Sequence, residues 1–405
     1  MNVLMLSPGF PRELRYFTRG LAEVGANVIG LGDTPRSVLE EPAASSLSAY
    51  VQVKSWRDEE RVLSQVRDLA SSVPIHRVEC LWEPYMILAA RIREMLGIEG
   101  MTVSQTVPFR DKEVMKRVLD QAGIRTPHHY RATTTAQVAE AAEKVGFPVI
   151  VKPIDGAGSA NTYRVESSGQ LEGIIPSLRG VPEVSVEEFV EGEDMTYETL
   201  CIDGRIQHSS IGTYIPRALV MRRHEWISPI TLVYRDPDAP DLASGRRMGE
   251  AVLRALGFTT GYTHMEWYRT ADGEAIFGEI GARPPGAYLV DLINYASDID
   301  TYTGWAEAVV HGRFTQKVER RYNAAWIFKR ARGQGQVQRY EGLESLMAEI
   351  GQHVVAIDLT PIGEPRRNWK ASLVGDGMVI VRHPDLQTTI DLAGKVASRF
   401  QVVAG

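Results

Sequence analysis

Two cysteines in 405 residues are too few for a disulfide framework or a zinc site. Cys80 and Cys201 each sit in an apolar segment and read as buried thiols in a reducing compartment. No apolar run approaches the roughly 20 residues that a bilayer span requires. The N-terminus lacks a basic region before its apolar run, and Arg12, Glu13 and Arg15 follow too soon for a signal peptide. Positive charge is not in surplus: the net charge is −6, which argues against a broad footprint for nucleic acid or an anionic membrane. Repeats, low-complexity tracts and long linkers are missing as well. So are two nucleotide signatures. Ser7-Pro8-Gly9-Phe10-Pro11 after the first apolar strand is not G-x-G-x-x-G, and no Gly-Lys-Ser/Thr occurs where a Walker loop would need it. What remains is a cytoplasmic globular protein, an enzyme by size. Its 44% apolar and 24% charged content is ordinary, and its length suits roughly two to four domains.

The most informative stretch that is present runs from Gly261 to Gly286. Two alternating apolar segments flank Ala271-Asp272-Gly273-Glu274, and Asp-Gly is a strong signal for a tight hairpin turn. With Asp272 and Gly273 as turn residues, Glu266 lies directly across from Glu279. Like charges so paired, about 5 Å apart at Cβ, destabilise a sheet unless a proton or cation stands between them. Period two puts Gly281 and Arg283 on the face of Glu279, while Met265, Trp267 and Ile280 point the other way. A divalent metal suits such a pair. The alternative is a surface hairpin with solvated glutamates, one of them neutralised by the arginine.

Upstream, strands and helices alternate over the first hundred residues, from Asn2–Ser7 and a helix near Arg12–Val24 to a helix over Tyr85–Leu96. That alternation predicts a parallel sheet, with a third strand at Tyr50–Lys54. Asp111 caps a helix whose first turn holds Lys112, a cation unfavourable against the helix dipole unless an anion is near. Phe147–Pro153 reads as a buried strand ending in Lys152. A small-residue loop follows, in which Gly156, Gly158, Ser159 and Ala160 can offer backbone N–H groups to phosphate oxygens. Val184–Val190 is a strand with Glu187 and Phe189 on one face, its end suited to an adenine edge. Each piece also has a plain reading: a surface lysine, a hairpin loop, a polar strand face. Arg217, Arg222, Arg223 and His224 cluster between this strand and the acidic hairpin, as a site for an anionic substrate group or the ATP tail, or as a solvated loop with salt bridges.

In order and spacing these pieces resemble the ATP-grasp superfamily. The resemblance rests on Arg110-Asp111-Lys112, Val151-Lys152-Pro153, Gly156–Ala160, Glu187-Glu188-Phe189-Val190, and Glu266 with Glu279 and Arg283. It covers Val107 to Gly286 and is looser before and weaker after. It implies an α/β and α+β chain in three parts. These are a Rossmann-like pre-ATP-grasp domain (1–106), an ATP-grasp region (107–312, with a lid at 127–190 and a central part at 191–312) and a small C-terminal α+β domain (313–405). The last part completes the acceptor pocket or forms a homodimer face.

The resemblance also implies roles. Lys112 and Lys152 would bind ATP phosphates under the glycine loop. Glu187, Phe189 and the Val190 backbone would face adenine, and Asp194 the ribose, where the family more often has Glu. Glu266 and Glu279 would hold one or two Mg²⁺ ions, with Mn²⁺ as a substitute, and Arg283 would steady an acyl phosphate. Many members carry Asn where this chain has Gly281, which puts one metal ligand in doubt; Glu279-Ile280-x-x-Arg283-Pro284 resembles the purine-pathway branch, which also lacks that Asn. The implied activity is an ADP-forming carboxylate–amine ligase, most similar to amino-acid and dipeptide ligases. The substrates would be a small carboxylate and an amine, amino acids by that likeness, with neither nucleic acid nor membrane as partner. A carboxylase of the biotin carboxylase or purine-pathway type and a nucleotide-binding regulator without turnover are the alternatives.

Overall fold

Period-two runs of buried side chains build three sheets and a small ribbon. The computed structural model describes residues 1–154, 161–369 and 375–405. Asn2–Leu6 (β1), Asn27–Gly32 (β2), Leu47–Gln52 (β3) and Arg77–Cys80 (β4) form a parallel sheet in the order β3-β2-β1-β4. Both faces of β1 are buried, Leu4 and Leu6 in one apolar cluster and Val3 and Met5 in another, which is why the strand reads as one apolar run. The third strand starts three residues before the predicted Tyr50, because parallel pairing already begins at Leu47 opposite Val28.

His129–Ala132 (β5), Val149–Pro153 (β6), Tyr163–Val165 (β7) and Val184–Glu188 (β8) form an antiparallel sheet in the order β5-β8-β6-β7. One side is packed by helix Thr135–Val145 through Val138, Ala141 and Ala142. The other side keeps Lys152 and Glu187.

The third sheet is the largest. Glu193–Ile202 (β9), Arg205–Ile215 (β10), Ile230–Val233 (β11), Gly261–Arg269 (β12), Ala275–Gly281 (β13) and Asn323–Lys329 (β14) belong to it. Val337–Glu341 (β15) pairs instead with Gln401–Ala404 (β18) as a separate ribbon, while Val354–Leu359 (β16) and Gly377–His383 (β17) join the large sheet. Its order is β13-β12-β9-β10-β11-β14-β17-β16, so strands from the last ninety residues continue the sheet that starts with the acidic hairpin.

Helix Arg15–Glu23 ties the first sheet to the large one by packing on helix Thr301–His311. There Phe17 meets Trp305 edge-on, with ring centroids 5.3 Å apart, and both rings are buried. Burial of that kind stabilises by about 1.5–3 kcal/mol per large side chain. No helix among the described residues is long and apolar enough to cross a membrane.

Candidate active site

A cleft lies between the sheet carrying β6 and β8 and the sheet carrying β9, β12 and β13. Its lining includes Lys112, Lys152, Glu187, Phe189, Val190, Asp194, Glu266 and Glu279, gathered from four separate parts of the chain. Gly156, Gly158, Ser159 and Ala160 lie outside the described residues.

The floor of the cleft is the hairpin β12–β13. Glu266 does face Glu279, but by a different route from the one predicted. Near the turn the register is one residue tighter: Trp267 pairs with Phe277 and Arg269 with Ala275. The turn itself is longer, closed by Thr270 N–H donating to the Glu274 carbonyl at 3.0 Å. A bulge at Gly278 then restores the register and brings the two glutamates opposite one another. A β-carbon at Gly278 would stand 2.7 Å from the Glu266 carbonyl oxygen, so the bulge needs glycine. The two faces divide as predicted: Met265, Trp267 and Ile280 are buried in the core, and the glutamates face the cleft.

Glu279 is paired with a cation. Lys112 Nζ lies 3.4 Å from Glu279 Oε2. Burial alone would raise the Glu279 carboxyl, but Lys112, Lys152 and Arg283 more than offset it and hold it below the ordinary range. Asp111 fixes the start of helix Lys112–Gln121 by accepting from the backbone N–H groups of Glu113 and Val114 at 2.9 and 3.0 Å.

Glu187 is the centre of a buried triad. Its Oε1 lies 2.5 Å from Lys116 Nζ and its Oε2 lies 2.9 Å from Lys152 Nζ. Burial would raise this carboxyl too, yet the two ammonium groups hold it well below the usual range. Lys152 moves the other way: burial lowers it, and Glu187 and then Glu279 raise it above the ordinary lysine value. Both Glu187 oxygens therefore face lysines. Lys116 is absent from the sequence reading, although its place one helical turn after Lys112 puts it on the same face.

At the adenine end of the expected site, the Val190 carbonyl accepts from Arg217 Nη1 at 3.0 Å. Arg164 lies over the Phe189 ring at 3.9 Å and Arg217 at 5.0 Å. Asp194 Oδ1 accepts from Arg217 Nε at 2.7 Å, and Oδ2 accepts from Ala218 N–H at 2.8 Å. The basic cluster thus separates. Arg217 lines the cleft with Asp194, Arg222 and Arg223 line a neighbouring cavity, and His224 packs its ring on Trp226 at 4.6 Å.

Arg283 crosses to the first sheet, where its Nε donates to Glu83 Oε2 at 2.9 Å. Arg110 binds the other Glu83 oxygen. Glu83 follows the C-terminal end of β4, where parallel sheets gather their ligands, and that position is the signal that would have found it. Arg283 reaches it by lying over Gly281: a β-carbon there would stand 3.2 Å from Arg283 Cγ. Glycine at 281 thus leaves room for the arginine side chain.

His264, two residues before Glu266 on the same strand face, is another unpredicted neighbour. It is paired with the fully buried Glu198 at 2.8 Å and lies 3.6 Å from Glu266. Burial lowers its pKa, but hydrogen bonding to Glu198 and Glu266 raises it to about 9.

The neighbouring cavity, of about 600 Å³, shares Tyr214, Leu219, Glu266 and Glu279 with the cleft and adds Arg222, Arg283, Leu289, Trp326, Phe328 and Trp369. Reacting groups on two ligands, one in each space, would meet at the glutamate pair. No group of three or more His, Cys, Asp or Glu able to hold a metal occurs among the described residues. Two facing carboxylates fit a hard cation that takes its other oxygens from phosphate and water, the usual mode for Mg²⁺.

The profile of the ATP-grasp domain matches residues 109–215, from just ahead of the Lys112 helix to the end of β10. In overall fold, the chain superposes on the crystal structure of an L-amino acid ligase from Bacillus licheniformis with a TM-score of 0.80. That match covers 100% of this chain and 98% of the other at 18% identity. This chain has the ATP-grasp fold. Among curated proteins, an L-arginine-specific L-amino acid ligase of Bacillus subtilis is 26% identical over 274 residues, 63% of this chain and 65% of that one. A formate-dependent phosphoribosylglycinamide formyltransferase of Bacteroides fragilis is 23% identical over 321 residues, 76% of this chain and 78% of the other. The chain spans between half and two thirds of the length of the first curated relatives it matches. The matched 109–215 segment holds Lys112, Lys152, Glu187 and Asp194, while both hairpin glutamates and Arg283 come after it.

Proposed function

We propose that this ATP-grasp chain is an ATP-dependent carboxylate–amine ligase acting on amino acids, forming an amide through an acyl phosphate and releasing ADP and phosphate. The observation that carries the reading is the paired state of the cleft. Lys112 rests on Glu279, and Lys116 and Lys152 rest on Glu187, so the lysines of the cleft already have carboxylate partners that a ligand's phosphates can replace.

On this reading Glu266 and Glu279 would hold Mg²⁺, which would supply charge neutralisation at the terminal phosphates of ATP. Lys112 exchanges its carboxylate partner for a phosphate oxygen, as does Lys152 on the other wall. Glu187 keeps Lys116 in place and so limits how far Lys152 moves. The adenine edge meets the Val190 backbone beside Phe189, and Asp194 with Arg217 borders the ribose.

The substrate carboxylate enters from the neighbouring cavity, and one of its oxygens attacks the γ-phosphorus in line as the bond to ADP breaks. The acyl phosphate then has a good leaving group. An amine adds to its carbonyl carbon, phosphate leaves, and the amine proton passes to solvent or to a phosphate oxygen. Arg283, held by Glu83, faces the oxygens that gain charge in both steps. The protein's share is positioning and charge neutralisation, and no side-chain nucleophile is required.

Purified protein with ATP, Mg²⁺ and amino-acid mixtures should release ADP. With a carboxylate carrying ¹⁸O, label should pass into the released phosphate. Phosphate without label would exclude the acyl phosphate, and ADP release that needs bicarbonate alone would transfer the site to carboxylation.

A further inference from the structure

Charge in the cavity beside the nucleotide cleft does not balance. Among the described residues it is lined by Arg222, Arg223, Arg283, Arg330 and His264, against two carboxylates, Glu266 and Glu279. On the ligase reading both carboxylates are committed to metal. His264 is paired with Glu198, Arg283 is held by Glu83, and Arg223 is exposed. Arg222 and Arg330 are the surplus.

Arg222 is half-buried and has neither a hydrogen bond nor an ion pair among the described residues. Burial lowers its pKa, opposed only by the charge of Glu266. Arg330 is 7% exposed. Its Nη1 donates to the carbonyls of Met221 and His224, both at 2.8 Å, and its guanidinium lies 4.5 Å from the centre of the Trp369 ring. Its Nε is buried with no partner. Both arginine side chains line this cavity, and burial and the charge of Arg222 lower the Arg330 pKa, opposed only by Glu225. A buried donor without an acceptor is costly, as are two neighbouring cations that no carboxylate among the described residues hydrogen-bonds, and a bound carboxylate relieves both. The same cavity supplies an aromatic surface in Trp326 and Phe328, whose ring centroids are 3.7 Å apart.

We propose that Arg222 and Arg330 form a subsite for a second carboxylate, separate from the one that reacts at Glu266 and Glu279, on a substrate whose apolar body rests on Trp326 and Phe328. That carboxylate belongs either to the amine partner or to a diacid. The proposal rests on the ligase reading for what reacts in the cavity, but not for what binds there.

Trp326 and Trp369 line the cavity, so tryptophan fluorescence of the full chain reports binding directly. Two ligand pairs separate the sources: phenylsuccinate against 3-phenylpropionate for a diacid, and L-phenylalanine against phenethylamine for an amine partner. Wild type should bind the carboxylate-rich member of one pair at least about tenfold more tightly. R222M and R222Q, with melting temperatures near wild type, should lose that preference, and R222K should recover part of it. Equal affinity within both pairs in wild type, or a preference that survives in both R222M and R222Q, would overturn the subsite. ADP release is read separately: turnover without the preference would refute the subsite alone, and the preference without turnover would refute the ligase reading alone.

Discussion

Lys116 and Lys152 divide the two oxygens of one buried carboxylate, Glu187, and the energetics of the three residues are unequal. Removing either lysine leaves a neutral pair. Removing the Glu187 charge leaves two buried ammonium groups facing each other. E187Q should therefore destabilise the protein by about 3–5 kcal/mol, and K116M by clearly less, as measured by denaturant unfolding. Equal losses would show that the triad is not the unit described here. The sign of the linkage follows from the depressed Glu187 carboxyl: its contribution is present above the unfolded pKa of about 4 and is lost as pH falls through the lower folded value. At this scale residue types were more legible than their partners. Lys112, Lys152, Glu266 and Glu279 were legible because each sits at an element end or across a hairpin, where period and caps constrain it. Lys116, Glu83, Glu198 and Arg330 were not, because their importance arises from contacts between residues 70 or more apart in most cases, such as Arg283 with Glu83.

Two elements carry most of the geometry, the hairpin β12–β13 and the helix Lys112–Gln121. The hairpin's function depends on one bulge. G278A should force the Glu266 carbonyl aside, lower stability by about 1–3 kcal/mol and reduce ADP release more than thermal melting alone would explain. Unchanged melting and turnover would show that the bulge is not needed. The sequence placed Glu266 opposite Glu279 by assuming a two-residue turn, whereas a longer turn and a bulge cancel to give the same pairing. Bulges insert a residue without altering the hydrophobic alternation on either side, so the pattern was blind to this one.

On the helix, Glu113 accepts from Ser185 and lies 2.9 Å from His129, which also lies 3.1 Å from Asp120. Burial lowers the His129 pKa, but Glu113 and Asp120 raise it above the ordinary value. Its charged form thus stabilises the fold fully below about pH 6.5, and the contribution disappears as pH rises through the raised folded pKa. The stability difference between wild type and H129N should be larger at pH 6 than at pH 9.5. A difference that does not change with pH would contradict this pairing.

At the scale of the whole molecule, the cleft exists because two sheets face each other and the first sheet closes one end. Glu83 from the end of β4 holds Arg283, β6 and β8 bring Lys152 and Glu187, and β12 and β13 bring the glutamates. The alternation that predicted the first sheet was plain because its strands are buried on both faces. The continuation of the large sheet by β14, β17 and β16 was hidden, since strand order is set by packing between distant segments and not by local pattern. That continuation matters chemically: β14 supplies Trp326 and Phe328 to the cavity beside the cleft. The proposed reaction requires Glu279 to hold metal against ATP at the junction of cleft and cavity. The most direct measurement is ADP release from Mg-ATP and an amino-acid mixture by wild type and E279Q, with melting curves for both. Wild type should release ADP, and E279Q should lose at least about a hundredfold of that rate at a near-unchanged melting temperature. E279Q turning over at the wild-type rate would contradict that role of Glu279.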